Sequence, residues 1–118
     1  MAKRRTNPEF LNGVPELLIL TLLSRRPMHG YDLVEAIRAE TAGVLTFGEG
    51  CVYPMLHQLE TKKYLSATEQ QVRGRARVVY AVTRKGKTRL QESAARWKQV
   101  TRTVESILGA NHGEPVVA

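Results

Sequence analysis

Apolar residues recur along this chain in four helical runs and one pair of strands. Pro15 to Ser24 is apolar nearly all round, the pattern of a buried helix, and Pro15 and Glu16 suit its first turn. A second run, from about His29 to Glu40, sets Tyr31, Leu33, Val34 and Ile37 on one inward side. Residues 42–46 connect it to a third, where Val52, Leu56, Leu59 and Lys63 repeat at helical spacing with Met55 alongside. That stripe leaves Cys51, Tyr53, Pro54, His57 and Gln58 on the outer side. Pro54 has no N–H for a helical bond, so this helix has two readings. It starts near Tyr53 with Pro54 in its first turn, or at Gly48 or Glu49 with an irregular opening.

After Tyr64 the period changes to two. Leu65–Gln71 and Arg77–Thr83 read as paired strands, with Val78, Tyr80 and Val82 on a buried face and Gly74 supplying the turn. Thr83 then caps a last helix running to Leu108, with Gly109 as its stop. Leu90, Ala94, Trp97, Thr101, Val104 and Leu108 form a heptad seam along it. A helix of ~25 residues is about 38 Å long, more than the small domain beside it covers. The same helix of a second copy is the expected cover, in a two-fold dimer; the alternative is that it folds back across the first helix. The elements together predict an α+β, mainly α fold: a winged helix-turn-helix over 14–83 and a long C-terminal dimerisation helix over 84–109. A basic arm (1–13) and a disordered tail (110–118) complete the expected domains.

Charge sharpens this picture. Residues 1–72 carry eight basic and eight acidic side chains, so the net +7 lies wholly in residues 73–118, in the hairpin and last helix. A one-sided basic field attracts polyanions, nucleic acid before anionic membrane. Arg73, Arg75 and Arg77 at the hairpin tip suit phosphate or the minor groove. His57 and Gln58 suit base edges in a major groove, or phosphate alone. Tyr53 and Pro54 suit helix shaping and backbone contact, and Cys51 beside them is counted among the expected DNA-facing residues. Trp97, the one tryptophan, is read two ways: as an interface anchor, or as a stacking platform for a small planar aromatic effector.

Other chemistries are not called for. No acid, base or nucleophile cluster marks an enzyme, no cofactor loop is present, and His29, His57 and His112 are not at metal-ligand spacing with Cys51. A lone Cys51 forms no internal disulfide, which suits a reducing cytoplasm. At a helix start its thiol can be acidified into an oxidant sensor; the preferred reading is a small side chain in place of Ser. No apolar run is long enough for a membrane span.

Three segments resemble the PadR-like transcriptional regulators: His29-Gly30-Tyr31-Asp32-Leu33; Gly50-Cys51-Val52-Tyr53-Pro54-Met55-Leu56-His57-Gln58-Leu59-Glu60; and Gly74-Arg75 leading into Tyr80-Ala81-Val82-Thr83-Arg84-Lys85-Gly86. They span roughly residues 14–108. A single C-terminal helix resembles the smaller subfamily. Cys51 stands where Thr or Ser is usual, Lys63 where Gly is common at the helix end, and Val78 and Val79 where basic and aromatic residues are frequent. The resemblance implies a dimer that binds operator DNA, usually repressing, with the last helix in the interface. The competing reading is a winged helix that serves protein interaction or assembly without sequence-specific DNA binding; three arginines at a hairpin tip argue against it.

Overall fold

The computed structural model describes residues 13–110. Apart from Gly13, the expected arm lies outside the described residues, as do all of the expected tail but Ala110, and His112. Helix α1 (Val14–Arg25) opens with Pro15 in its first turn and buries Val14, Ile19, Leu20, Leu22 and Leu23. Strand β1 (Met28–His29) leads directly into α2 (Gly30–Glu40), which buries Leu33 and Ile37. Helix α3 spans Glu49–Thr61. The hairpin β2 (Leu65–Val72) and β3 (Arg75–Val82) follows, then α4 (Arg84–Ala110). All strands are antiparallel in the order β1-β3-β2. The core lies between α1, α2, α3 and the base of the hairpin, where Leu65 and Tyr80 join it.

Several expectations need correction. Tyr31 does not face the core but is 50% exposed, because the strand turns into helix at Gly30 and rotates the first turn outward. Residues 28 and 29 are strand: they pair with Tyr80 and Val79 of β3. Helix α3 begins at Glu49 and carries Pro54 inside it. Its start is held from outside the apolar stripe. The Gly48 carbonyl accepts the N–H groups of Cys51 and Val52, both at 3.0 Å. Phe47 before the cap and Val52 four positions into the helix are both buried, the arrangement of a hydrophobic staple. Val78 is exposed, because the outer half of the hairpin extends beyond the core. Gly109 does not stop α4, which continues to Ala110.

Lys63 leaves the α3 stripe altogether. It is exposed and left-handed, with φ 70°. The Tyr64 N–H donates to the Leu59 carbonyl and the Lys63 N–H to the Glu60 carbonyl, each at 2.9 Å. This is the helix ending that places its left-handed residue just past the cap and most often uses glycine there. Ala42 (φ 53°) closes α2 in the same way, with the Gly43 N–H on the Arg38 carbonyl at 2.8 Å. The Thr83 cap is as expected: its hydroxyl accepts the Gly86 N–H at 3.0 Å and donates to the Lys63 carbonyl at 2.7 Å.

A β-carbon in the left-handed region costs about 1–2 kcal/mol, part of which glycine returns through its greater freedom when unfolded. Lys63→Gly should therefore raise stability by about 0.5–1 kcal/mol, seen as a melting temperature higher by roughly 4 °C. An unchanged or lower melting temperature would show that the Lys63 side chain itself stabilises this corner.

Candidate nucleic-acid interface

The outward face of α3 is an open polar strip. Pro54, His57 and Gln58 are exposed, as expected. The strip continues further than the sequence suggested: His57, Gln58, Thr61 and Lys62 line one shallow depression. Thr61 and Lys62 are one helical turn beyond His57 and Gln58, a spacing that signals their shared face. Cys51 and Tyr53, in contrast, are half-buried and pack against the core. The Tyr53 ring lies across Gly30, at the start of α2, so close that a β-carbon there would overlap it. Glycine is what allows α3 to sit over the first turn of α2. Burial pushes the Cys51 thiol up from its ordinary value, the reverse of what an oxidant-sensing thiolate needs.

At the hairpin tip, Val72 pairs with Arg75, so Arg73 and Gly74 form a two-residue loop. Their φ values are 54° and 79°, both positive, as the tight hairpin turn that matches strand twist requires. Asn-Gly is the favoured pair for such a turn; here arginine takes the first place at a conformational cost. Arg73 and Arg75 are exposed and Arg77 is half-buried. Among the described residues the ion pairs are Arg25–Glu40, Arg38–Glu35, Arg89–Glu16 and His29–Asp32, so none of the three tip arginines has an acidic partner. They border a cleft of about 400 Å³ whose other wall is His29, Tyr31 and Asp32. There His29 Nε2 lies 3.1 Å from Asp32 Oδ2, while its Nδ1 is buried with no protein partner.

Helix α4 divides into two parts. Its first turns are pinned. Arg89 makes a two-pronged bridge to Glu16 of α1, Nε–Oε2 at 2.7 Å and Nη2–Oε1 at 3.3 Å. Lys85 and Arg89 also lie over the Tyr64 ring, 5.3 and 5.4 Å from its centre. Leu90 packs on the core and Ala94 is half-buried, so folding back on α1 accounts for this part of the seam. Beyond it Trp97 is 43% exposed, Val104 and Leu108 are about half exposed, and Thr101 is half-buried. Val100 and Ile107 (61% exposed) widen the stripe; the strict six-position heptad passed over them. Trp97 and Val100 also line a groove of about 290 Å³ shared with Gly13, Glu16, Leu17 and Arg96.

No described helix is long and apolar enough to cross a membrane, and among the described residues no three His, Cys, Asp or Glu side chains gather as metal ligands. Residues 19–92 match the family model described as the transcriptional regulator PadR-like family. The chain is similar to transcriptional regulator YqjI of Escherichia coli, 30% identical over 97 residues; the match covers 82% of this chain but only 45% of YqjI. It is also similar to transcriptional regulator Rv3488 of Mycobacterium tuberculosis, 31% identical over 96 residues, covering 81% of this chain and 87% of that one. Among solved structures, a PadR-like transcriptional regulator from Bacillus cereus superposes with a TM-score of 0.77 at 30% identity, over 91% of this chain and 100% of that one.

The strained turn gives a two-sided expectation. Arg73→Asn should stabilise the fold by about 0.5–1 kcal/mol, since asparagine tolerates the left-handed region. It should also flatten the salt dependence of DNA binding by ~1 unit of log–log slope. Thermal melting and a salt series of fluorescence anisotropy measure the two. A lower melting temperature would show that the turn is not strained; an unchanged slope would show that Arg73 touches no phosphate.

Proposed function

From its membership of the PadR-like family of transcriptional regulators, we propose that this chain is a homodimeric repressor that binds an inverted-repeat operator in the cytoplasm. The observation that carries the DNA-binding part is the hairpin tip: three arginines without acidic partners among the described residues, one held in a strained turn. The open strip of His57, Gln58, Thr61 and Lys62 supplies the groove-reading surface, and the arginines hold the backbone beside it. Residues 14–83 act as the DNA-binding unit and 84–109 as the dimerisation helix. A bound dimer represses by occupying duplex that the transcription machinery must use.

Dimerisation is supported by the apolar stripe Trp97, Val100, Val104, Ile107 and Leu108, left uncovered among the described residues. At 27 residues α4 is about 40 Å long, and among the described residues Val104, Ile107 and Leu108 toward its end stay exposed. An isologous pairing buries the stripe of each copy against the other. Sedimentation equilibrium at micromolar concentration should give twice the 13.2 kDa chain mass. Selection from random duplexes should return an inverted repeat with half-site centres ~10 bp apart, or a multiple of that. A monomer, or an asymmetric single site, would overturn this reading.

The groove beside Trp97 supports a second element, release by a small planar ligand. Its walls join an aromatic platform to Arg96 and the Glu16–Arg89 bridge, and stacked rings gain ~1 kcal/mol beyond burial. A ligand that prefers one relative orientation of the two winged domains changes DNA affinity; one without such a preference does not. Flat aromatic dyes should quench Trp97 fluorescence, and equilibrium dialysis should show that Trp97→Ala loses the dye while remaining a dimer. Retained dye affinity would rule out the stacking site, and loss of the dimer would make Trp97 an interface anchor alone.

A further inference from the structure

The cleft between the hairpin and α2 stands outside the recognition strip of α3, and its walls differ in character. One wall carries Arg73, Arg75 and Arg77. The other is the start of α2, with His29 and Tyr31, and α2 has no side-chain cap. The first-turn N–H groups of any helix lack an intrahelical acceptor and present its positive end, and here no side chain caps them. Among the described residues Asp32 is the one carboxylate lining the cleft, and His29 Nε2 lies 3.1 Å from it. The two walls are joined covalently and by pairing. Met28 and His29 pair with Tyr80 and Val79 on the strand that bears Arg75 and Arg77. The cleft is thus part of the sheet frame, and both walls offer donors to an anion.

We propose that this cleft is a phosphate seat: one phosphodiester of the bound DNA lodges between the hairpin and α2. Arg75 and Arg77 supply charged donors from one side. The Tyr31 hydroxyl and the free N–H groups of the first turn of α2 supply neutral donors from the other. Tyr31, which helical spacing assigned to the core, becomes a backbone-contacting residue, and α2 and the wing grip the same strand. The seat would set the height and tilt of α3 in the groove, because Tyr53 of α3 rests on Gly30 beside it. This inference rests on the DNA-binding reading above and adds a site to it.

A neutral donor and a charged one leave different signatures. On the full chain, Tyr31→Phe removes only a hydroxyl from a half-exposed ring. It should weaken binding to the selected duplex about tenfold with the salt slope unchanged. Arg75→Ala should reduce the slope by ~1 instead. A scan of single methylphosphonate replacements along the duplex locates the contact. In wild type one position per half-site should be especially costly, and in Tyr31→Phe the penalty at that position alone should shrink. Wild-type affinity in a folded Tyr31→Phe protein, or penalties equal to wild type at every position, would overturn the seat. Failure of the wild type to bind any duplex would overturn the DNA-binding reading itself, and the seat with it.

Discussion

A single corner at the base of the wing decides where the rest of the molecule points. The Thr83 hydroxyl donates to the Lys63 carbonyl at 2.7 Å, and the Thr83 N–H donates to the Tyr64 carbonyl at 3.0 Å. The end of α3, the start of β2, the end of β3 and the start of α4 all meet within these few residues. Because the same hydroxyl accepts the Gly86 N–H, one side chain both locks the hairpin base and begins α4. The hairpin tip lies eight residues away, about 26 Å at strand rise. Any looseness at the corner would be magnified there. The Arg89–Glu16 bridge and the two cations over Tyr64 brace the same corner from the α1 side.

The corner's strain and the tip's strain have different origins. Lys63 and Ala42 close helices with a left-handed residue that is not glycine, and among the described residues the Lys63 ammonium forms no ion pair. Arg73 is left-handed too, but it stands where three arginines border one cleft. Strain that coincides with chemistry is the kind that functional sites retain. The Asp32 carboxylate in that cleft lies 3.1 Å from His29 Nε2.

Much of this was legible in the sequence, and the losses have physical causes. α1, the hairpin, the Thr83 cap and the long α4 follow from strong periodicity and local capping chemistry, which need no tertiary information. β1 was not legible because two residues carry no period; only pairing with Tyr80 and Val79 makes them strand. Tyr31 and Tyr53 were exchanged in effect. Helical spacing placed Tyr31 inside and Tyr53 outside, but the missing side chain of Gly30 draws Tyr53 inward over α2. The start of α3 depended on Phe47, which belongs to no helical stripe and is nonetheless buried. On the candidate interface, the arginines, His57 and Gln58 were readable from type and position. Thr61 and Lys62 were hidden by treating the helix end as core through Lys63. The α2 wall of the cleft is visible only once β1 folds it against the wing.

The unbroken path of α4 from the corner to Trp97 has a consequence for how such a protein can change over generations. Its first turns are fixed to α1, and its apolar stripe begins only two turns later. One residue inserted between Arg89 and Trp97 would swing the stripe by about 100° around the helix, away from any partner that met it before. Insertions of about seven or about eleven residues return the stripe to within about 20° of the same side, and they lengthen the helix by about 10 or about 16 Å. In a dimer joined along this stripe, the span between the two reading heads can therefore drift only in steps. If such a dimer reads two half-sites, their spacing inherits the same quantisation.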